Sequence, residues 1–187
     1  LSDAIPDHST IVWFRRAIEK AELVKPLLDT INNQLNQKGL LIRHGTVSII
    51  DATVIEAQRA RPNKDKDGNN TQDPEAAWNV KTASDGKTKT TYGFKGHANV
   101  DEDGFIKAFE FTAGNVHDSN VFTELLGDTD SAAYADAAYA SAKHDAELEA
   151  RHIENRIMKR AYRNTPLTAE QKAFNRLHAG TRSTRAS

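Results

Sequence analysis

Residues 45–58 read GTVSIIDATVIEAQ, a stretch dominated by apolar and β-branched side chains. Such a run, followed by polar residues, predicts a buried β-strand. Asp51 interrupts the run at its centre. Because a carboxylate is costly to bury without a partner, the sequence predicts that a cation or a set of hydrogen-bond donors faces Asp51.

The chain on either side of this strand alternates between helical and strand patterns. Helices are predicted at 11–23 and 24–39, and residues 59–90 form a polar segment rich in Lys, Asn, Asp and Gly. The stretches TTYGFKGHANVD (90–101) and GFIKAFEFTAG (104–114) are predicted to pair as a hairpin through DEDG.

The second half of the chain is predicted to hold four more elements. They are a short helix at 117–127, a strand at 131–141, a helix at 141–153 and a helix from Thr168 to Gly180. Antiparallel strands followed by a crossover helix and a further strand indicate a mixed α/β sheet with flanking helices.

The domain organisation follows from this order of elements. We predict an N-terminal helical segment at 1–44 and an α/β domain at 45–187, with the polar segment 59–90 as an insertion. Hydrophobic residues make up 38% and charged residues 27% of the 187 residues, which is typical of a soluble globular protein. No apolar run is long enough to span a bilayer, so we expect a cytoplasmic protein without a membrane partner.

Cysteine is absent from the sequence. A disulfide scaffold, a thiolate metal site and a cysteine nucleophile are therefore excluded. Any metal ligand must come from carboxylate, imidazole or carbonyl groups, which favour a hard cation such as Mg²⁺ or Mn²⁺.

A second carboxylate lies in a similar setting. Asp136 follows the apolar stretch SAAYA at the end of a predicted strand. If the strands of Asp51 and Asp136 are neighbours in the sheet, both carboxylates converge and hold a divalent cation. The alternative is that Asp51 accepts hydrogen bonds from backbone amides at a strand bend and that Asp136 caps a turn.

Charge is distributed unevenly along the chain. Residues 128–149 are acidic, whereas the tail from Arg151 onward is strongly basic, although the formal net charge of the whole chain is only −1. A basic tail is typical of a protein with a polyanionic partner. A solvated helical face explains the same pattern equally well.

Several stretches resemble the DDE transposases of bacterial insertion sequences. They are IPDHSTIVWFRR near the N-terminus, IIDATVIEA around Asp51, DPEAAWNVK, YGFKGHANVD and TAGNVHDSNVF in the middle, and YADAAYAS around Asp136. The last departs from the family in having Ala137 and Ala138 where Lys-Gly or Gly-Tyr is more usual. The resemblance covers nearly the whole chain in the order of the family.

This resemblance implies a fold, a chemistry and a partner. The fold is ribonuclease H-like, with Asp51 on the first strand and Asp136 just after the fourth. In this family three carboxylates hold two divalent metals that cut and join DNA, so Asp51 and Asp136 are implied as catalytic metal ligands for Mg²⁺ or Mn²⁺. The basic tail is implied to contact DNA phosphates, through Lys159, Arg160, Arg163, Arg176 and Arg182.

The third carboxylate of the family is a glutamate on a late helix, in a sequence of the type Arg-Ser-x-Val-Glu. Here FNRLHAGTRST approaches that motif, and the sequence continues as Arg185, Ala186 and Ser187 without Val-Glu. We therefore expect a truncated or frameshifted product. Substitution by another acid, among Glu147, Glu149, Glu154 and Glu170, is the least favoured explanation because their surroundings are typical of exposed helix faces.

Three functions remain open at this point. The first is a DDE transposase that acts on insertion-sequence ends and is catalytically impaired without the third carboxylate. The alternative is a non-catalytic product that binds DNA or full-length transposase and interferes with transposition. A metal-dependent nuclease of the same fold is a third, less favoured interpretation. Both an enzyme and a non-catalytic protein fit the sequence. A second copy of the chain or a full-length transposase is a candidate partner.

Some other residues allow both a structural and a functional interpretation. The pair His117–Asp118 fits a metal site or, more often, a helix start. His97, next to Gly96 in a predicted strand, fits a site residue or a structural histidine equally well. Trp13 and Trp78 can stack on unpaired bases, but packing in a core is the preferred role for both.

Overall fold

The computed structural model describes residues 7–40, 47–58, 63–82, 86–128, 130–162 and 164–183, with side chains described as far as Gly180. The chain divides into two compact units, residues 1–41 and 42–187.

In the part of the first unit that the structure describes, residues 7–40, there are two helices. Helix α1 (His8–Lys20) begins after Asp7, whose carboxylate accepts a hydrogen bond from the Thr10 amide at 2.7 Å. Asp7 therefore caps the helix, because it satisfies an amide that has no partner within the helix. Helix α2 (Val24–Gln37) follows. Neither helix contains a buried residue, and 70% of the surface of Trp13 is exposed, so the preferred core role of Trp13 is wrong.

The second unit is built on one mixed sheet. Within the described residues the strands are β1 (Val47–Glu56), β2 (Ala77–Thr82), β3 (Thr88–Val100), β4 (Ile106–Ala113), β5 (Ala132–Ala135) and β6 (Glu154–Ile157). Their order is β2-β3-β1-β5-β6, with β4 also pairing with β3. The pairs β1–β3, β2–β3 and β3–β4 are antiparallel, whereas β1–β5 and β5–β6 are parallel. The predicted mixed α/β sheet is confirmed.

The helices of this unit follow the strands in chain order. A 3₁₀ turn (Asp118–Val121) leads into α3 (Phe122–Leu125), a second 3₁₀ turn (Ala137–Tyr139) follows β5, and α4 (Ala142–Ala150) and α5 (Ala169–Ser183) flank β6. The hairpin between β3 and β4 closes as expected, because Asp101 Oδ1 accepts hydrogen bonds from the amides of Asp103 and Phe105 and Gly104 takes a φ of 86°.

The sheet has two faces because successive side chains of a strand point in opposite directions. We call one the core face: it carries Ile50, Ala133 and Ala135, which pack with α3, α4 and the second 3₁₀ turn in the larger hydrophobic cluster. The other, which we call the site face, carries Ile49 and Tyr134 of a smaller cluster. These two clusters hold the central strands β1 and β5 in place.

The structure departs from the sequence-based expectations in four places. Strand β2 lies within the segment predicted to be a polar insertion, and β6 lies where no strand was predicted. The strand predicted at 131–141 ends at Ala135, and α5 continues past Gly180, where a stop was expected. Because β2 is an additional strand, Asp136 follows the fifth strand of the chain instead of the fourth.

A buried ion pair joins the start of β1 to the segment before β5. Asp130 is almost fully buried, and its carboxylate accepts hydrogen bonds from Lys107 Nζ, from the Ser48 hydroxyl and from the Gly127 amide. Asn99 extends the network by donating to Ser48 Oγ at 2.8 Å and to the Leu125 carbonyl at 2.7 Å. These bonds tie β1, β3 and β4 to the chain that enters β5.

Removal of the cation from this pair tests its contribution to stability. Lys107→Met leaves the buried Asp130 carboxylate without its charge partner, so the free energy of unfolding should fall by about 3–5 kcal/mol. The matched control is Lys89→Met, which breaks the exposed pair of Lys89 and Glu56 at 3.8 Å and should cost less than about 1 kcal/mol. Urea denaturation of both variants measures the difference, and equal losses would contradict this role of the network.

Candidate metal centre

The two predicted carboxylates lie side by side in the sheet. Strands β1 and β5 run parallel, and the last pair of their register joins Ile50 to Ala135. Asp51 follows Ile50 within β1, and Asp136 directly follows the end of β5 at Ala135. Since neighbouring strands are about 4.8 Å apart, this register brings the backbones of the two acidic residues together although 85 positions separate them in the sequence.

Both carboxylates also lie on the same face. Asp51 follows Ile49 by two residues, and Asp136 follows Tyr134 by two residues. Ile49 and Tyr134 are on the site face, and the backbone of Asp136 is still extended, with φ −78° and ψ 174°. The alternation of side chains therefore places Asp51 and Asp136 together on the site face.

The position of Asp51 is only partly buried. Val47 to Ile50 are buried, Asp51 and Ala52 are half-buried, and Thr53 to Glu56 are exposed. The change coincides with the end of β5 at Ala135, beyond which β5 no longer covers the edge of β1. This arrangement lowers the cost of an ionised Asp51, because solvent or a cation can reach it.

Each carboxylate also accepts a local hydrogen bond. Asp51 Oδ1 accepts from the Ala52 amide at 2.9 Å, and Asp136 Oδ1 accepts from the Ala138 amide at 2.7 Å and caps the 3₁₀ turn. The alternative given in the sequence analysis, that backbone amides donate to Asp51 and that Asp136 caps a turn, is therefore correct for Asp51 Oδ1 and Asp136 Oδ1. It does not compete with the metal interpretation, since one oxygen of each carboxylate is enough to bind a cation.

Asp51 and Asp136 are the right type of ligand for a divalent cation, but they are too few. Two half-buried carboxylates on one face are the hard oxygen ligands that Mg²⁺ and Mn²⁺ prefer. Among the described residues, however, there is no group of three or more Asp, Glu, His or Cys side chains arranged to hold a metal. The described residues therefore bring two candidate ligands together, which is fewer than a metal site needs.

The acids that were considered as substitutes do not complete the site. Leu148 packs in the larger cluster, which places α4, with Glu147 and Glu149, on the core face. Glu147 is also hydrogen-bonded to Arg151 at 2.7 Å. Glu154 pairs with Ala132, at the opposite end of β5 from Asp136, and Glu170 is exposed. The least favoured explanation in the sequence analysis thus gains no support.

Two of the predicted DNA-binding residues lie at the same end of the sheet as the carboxylates. The Met158 amide donates to the Ala135 carbonyl at 3.0 Å, so the chain leaving β6 runs beside Asp136. Lys159 and Arg160 follow directly, Lys159 half-buried and Arg160 exposed. Positive charge therefore accumulates where β5 and β6 end, beside the middle of β1.

Helix α5 is attached to this end of the sheet by a side chain that the sequence did not single out. The Asn175 amide group accepts a hydrogen bond from the Lys159 backbone N–H at 2.7 Å and donates to the Lys159 carbonyl at 2.9 Å. Lys159 Nζ lies 5.3 Å from the centre of the Phe174 ring. Asn175 thus positions both Lys159 and the next residue of α5, the exposed Arg176. An asparagine in a helical pattern gives no local signal of this role.

The other two predicted DNA-binding residues have no described side chain. Arg163 lies outside the described residues, as does the side chain of Arg182.

Arg156, although part of the basic tail, donates to Glu154 at 2.5 Å and to the Tyr134 hydroxyl, and these bonds raise its pKa and lower that of Glu154. Burial and the nearby Arg156 lower the pKa of His178, whose ring lies 5.5 Å from that of Tyr134 on the site face.

The histidines that allowed two interpretations are structural in this fold. His117 caps the 3₁₀ turn as expected, with Nδ1 within 2.7 Å of Ser119 Oγ. His97 is fully buried on the core face, opposite to Asp51, and its Nε2 lies 2.9 Å from Thr112 Oγ1. Burial lowers the pKa of His97, so it stays neutral at physiological pH.

Trp78 is placed on the site face. Its cross-strand partner is Tyr92, and 45% of its surface is exposed, so it is only partly packed. Phe94 and Phe111 stack on each other on the same face with ring centres 5.0 Å apart, and 51% of the surface of Phe111 is exposed. An apolar, aromatic surface therefore continues along the site face beside Asp51.

Comparison with known proteins adds one finding about the family. A family model described as the transposase DDE domain matches residues 43–184. No solved structure matches the chain. No helix within the described residues is long and apolar enough to cross a membrane.

The match covers the unit that holds the mixed sheet and both strands that carry the acidic pair. The observed sheet and flanking helices are those of a ribonuclease H-like DDE domain, as the resemblance implied. DNA is the partner of this family, and divalent-metal dependence is general in it. On this match the chain belongs to the transposase DDE domain family.

Proposed function

We propose that this chain is the catalytic-domain portion of an insertion-sequence DNA transposase in which Asp51 and Asp136 bind a divalent cation, Mg²⁺ or Mn²⁺. The register that makes these residues neighbours on the site face is the observation that carries the proposal. The accumulation of positive charge at the same end of the sheet supports it, because a DNA strand held there lies beside the carboxylates.

Each group has a distinct role in this proposal. A bound divalent cation supplies activation of the attacking oxygen and stabilisation of the leaving oxygen during strand cleavage and transfer. Asp51 and Asp136 hold that cation, and their bonds to the Ala52 and Ala138 amides fix the orientation of each carboxylate. Lys159, Arg160 and Arg176 bind phosphates of the substrate strand, with Lys159 held by Asn175.

We further propose that the polypeptide of this sequence is catalytically impaired on its own. Two carboxylates do not provide the ligands that two metals need, and loss of a ligand disturbs the geometry of both positions. The alternative function, a non-catalytic product that binds DNA or a full-length transposase and interferes with transposition, follows from the same observation. Binding without cleavage is common to both accounts, and the experiments below separate them from an active enzyme.

Metal binding tests the role of the acidic pair. Asp51→Asn removes one charge while keeping the side-chain shape, so the dissociation constant for Mn²⁺ should rise at least about tenfold. Electron paramagnetic resonance of free Mn²⁺ measures this change. The matched control is Asp128→Asn, an exposed aspartate away from the site, which should leave binding unchanged. Equal affinities of Asp51→Asn and the unsubstituted chain would refute the proposed site.

Strand cleavage tests the impairment. Purified chain incubated with supercoiled plasmid and Mn²⁺ should produce no more nicked circle than buffer alone, because two carboxylates do not complete the metal site. Agarose gel electrophoresis gives the measurement. Nicking that disappears in Asp51→Asn would contradict the impairment and establish an active enzyme. Cleaved products without joined ends would identify a nuclease.

The salt dependence of DNA binding tests the basic residues. Substitution of Lys159, Arg160 and Arg176 by glutamine should reduce the slope of log K against log salt for duplex DNA by about 2.7, or about 0.9 for each lost phosphate contact. The control variant carries three substitutions by glutamine at Lys64, Lys66 and Lys143, which are exposed lysines elsewhere on the unit, and it should keep the slope. Fluorescence anisotropy between 50 and 300 mM salt measures both. An equal change of slope in the two variants would show that binding has no preferred surface.

A further inference from the structure

A cavity of about 210 Å³ opens on the core face of the sheet, where β1, β2 and β3 meet the turn after β4. Ala52 and Val54 provide its apolar wall, and Asn79, Lys81 and Lys95 provide polar groups. A cavity of about 150 Å³ holds a benzene molecule. This cavity is therefore large enough for a planar ring with polar substituents.

The cavity lies close to the acidic pair but on the other side of the sheet. Ala52, in its wall, is the residue directly after Asp51, and its side chain points to the core face. Strand β5 ends at the level of Ile50, so it pairs with no part of β1 from Ala52 to Glu56. A nucleic acid strand bound at the carboxylates can pass this edge of β1 to reach the cavity.

The polar groups of the cavity are suited to hydrogen bonding with a ligand. Lys95 is nearly buried, and its ammonium group donates to the Val116 carbonyl at 2.7 Å and to Asp118 at 2.8 Å. An ammonium group has three protons, so one proton remains for a ligand. The half-buried Asn79 side chain makes no hydrogen bond within the described part of the chain and offers both a donor and an acceptor.

The lining of the cavity restricts the kind of ligand. A bare phosphate is disfavoured, because the Asp118 carboxylate lies in the lining and already neutralises Lys95. A purely apolar ligand is disfavoured, because it would leave the Asn79 amide and the Lys95 proton without partners. A nucleobase meets both conditions, since its faces pack against apolar side chains and its edge accepts and donates hydrogen bonds.

We propose that this cavity binds a single unpaired nucleotide, with the base against Val54. In this arrangement Asn79 and Lys95 bond to the base edge, and the exposed Lys81 lies at the phosphate. The nucleotide belongs to an unpaired end of a DNA strand, a source that rests on the proposed function, or to a free nucleotide pool. Both sources present the same base and phosphate to the cavity.

A titration of the isotope-labelled full chain, followed by nuclear magnetic resonance without metal, tests the cavity directly. The probes are the four deoxynucleoside monophosphates and deoxyribose 5-phosphate, which lacks a base. Backbone signals of Val54, Asn79 and Lys81 should shift with at least one nucleotide, and its affinity should exceed that of deoxyribose 5-phosphate at least fivefold. Equal affinities, or shifts confined to residues outside the cavity, would overturn the proposal.

A pair of neighbouring substitutions provides the matched control. Val54→Trp fills the cavity, whereas Ile55→Trp adds the same group to the opposite face, and the two side chains are exposed to similar extents, 38% and 42%. Nucleotide binding should be lost in Val54→Trp and kept in Ile55→Trp. Binding that persists in Val54→Trp, in a variant with an unchanged unfolding temperature, would overturn the proposal. If Val54→Trp does not fold, Asn79→Leu takes its place, with at least a fivefold loss expected and unchanged binding counting against the cavity.

DNA ends separate the two sources of the nucleotide. A duplex with a two-nucleotide overhang should shift the cavity signals at lower concentration than the free nucleotide does, whereas a blunt duplex or one with an abasic overhang should not. If free nucleotides shift the cavity signals and no DNA end does, the result supports nucleotide binding in the cavity, with the free nucleotide pool as the source. Failure of the proposed function appears separately, in the Mn²⁺, cleavage and salt experiments, none of which depends on Val54 or Asn79.

Discussion

The parallel pairing of β1 with β5 is the constraint on which the rest of the site depends. The register that joins Ile50 to Ala135 is one residue short of the acidic pair, so Asp51 and Asp136 stand together at the point where the pairing stops. A shift of the register by one residue would turn one of the two side chains to the opposite face. Burial of Ile50 and Ala135 in the larger cluster prevents such a shift, since it would move apolar side chains into water.

The end of β5 also resolves the electrostatic difficulty of an acid within an apolar strand. Up to Ile50 the strand is covered on both faces, and an ionised side chain there would be very costly. From Asp51 onward the cover is lost on one edge, so the carboxylate stands at the boundary between core and solvent. An almost fully buried carboxylate lies elsewhere in the unit: Asp130 is paired with Lys107 and bonded to Ser48 near the start of the same strand. The two acids thus represent two uses of a carboxylate, one that holds the sheet together and one that is left accessible for a ligand.

The same open edge connects the two faces of the sheet. The site face carries the acidic pair, Tyr134 and the exposed rings of Trp78 and Phe111. The core face carries the cavity beyond Ile50, where α3 and α4 no longer cover the strand. Lys159 and Arg160 stand at the end of β6, next to this edge, and Asn175 binds the backbone of Lys159 to α5. One short strand, β5, therefore determines where carboxylates, positive charge and cavity come close to each other.

The sequence by itself determined the features that depend on neighbours along the chain. The Asp7 cap, the hairpin at Asp101 and Gly104, the 3₁₀ turn after His117 and the apolar strand around Asp51 are each encoded within a few residues, and each is found. Only the tertiary structure decided the rest. Strands β2 and β6 are short and rich in polar residues, and they exist because β3 and β5 offer them backbone partners. Only the folded sheet brings Asp51 beside Asp136, bonds Asn175 to the backbone of Lys159 and bonds Arg156 to the Tyr134 hydroxyl. Each of these contacts joins residues that are distant in sequence, and a local pattern cannot encode a register between distant strands.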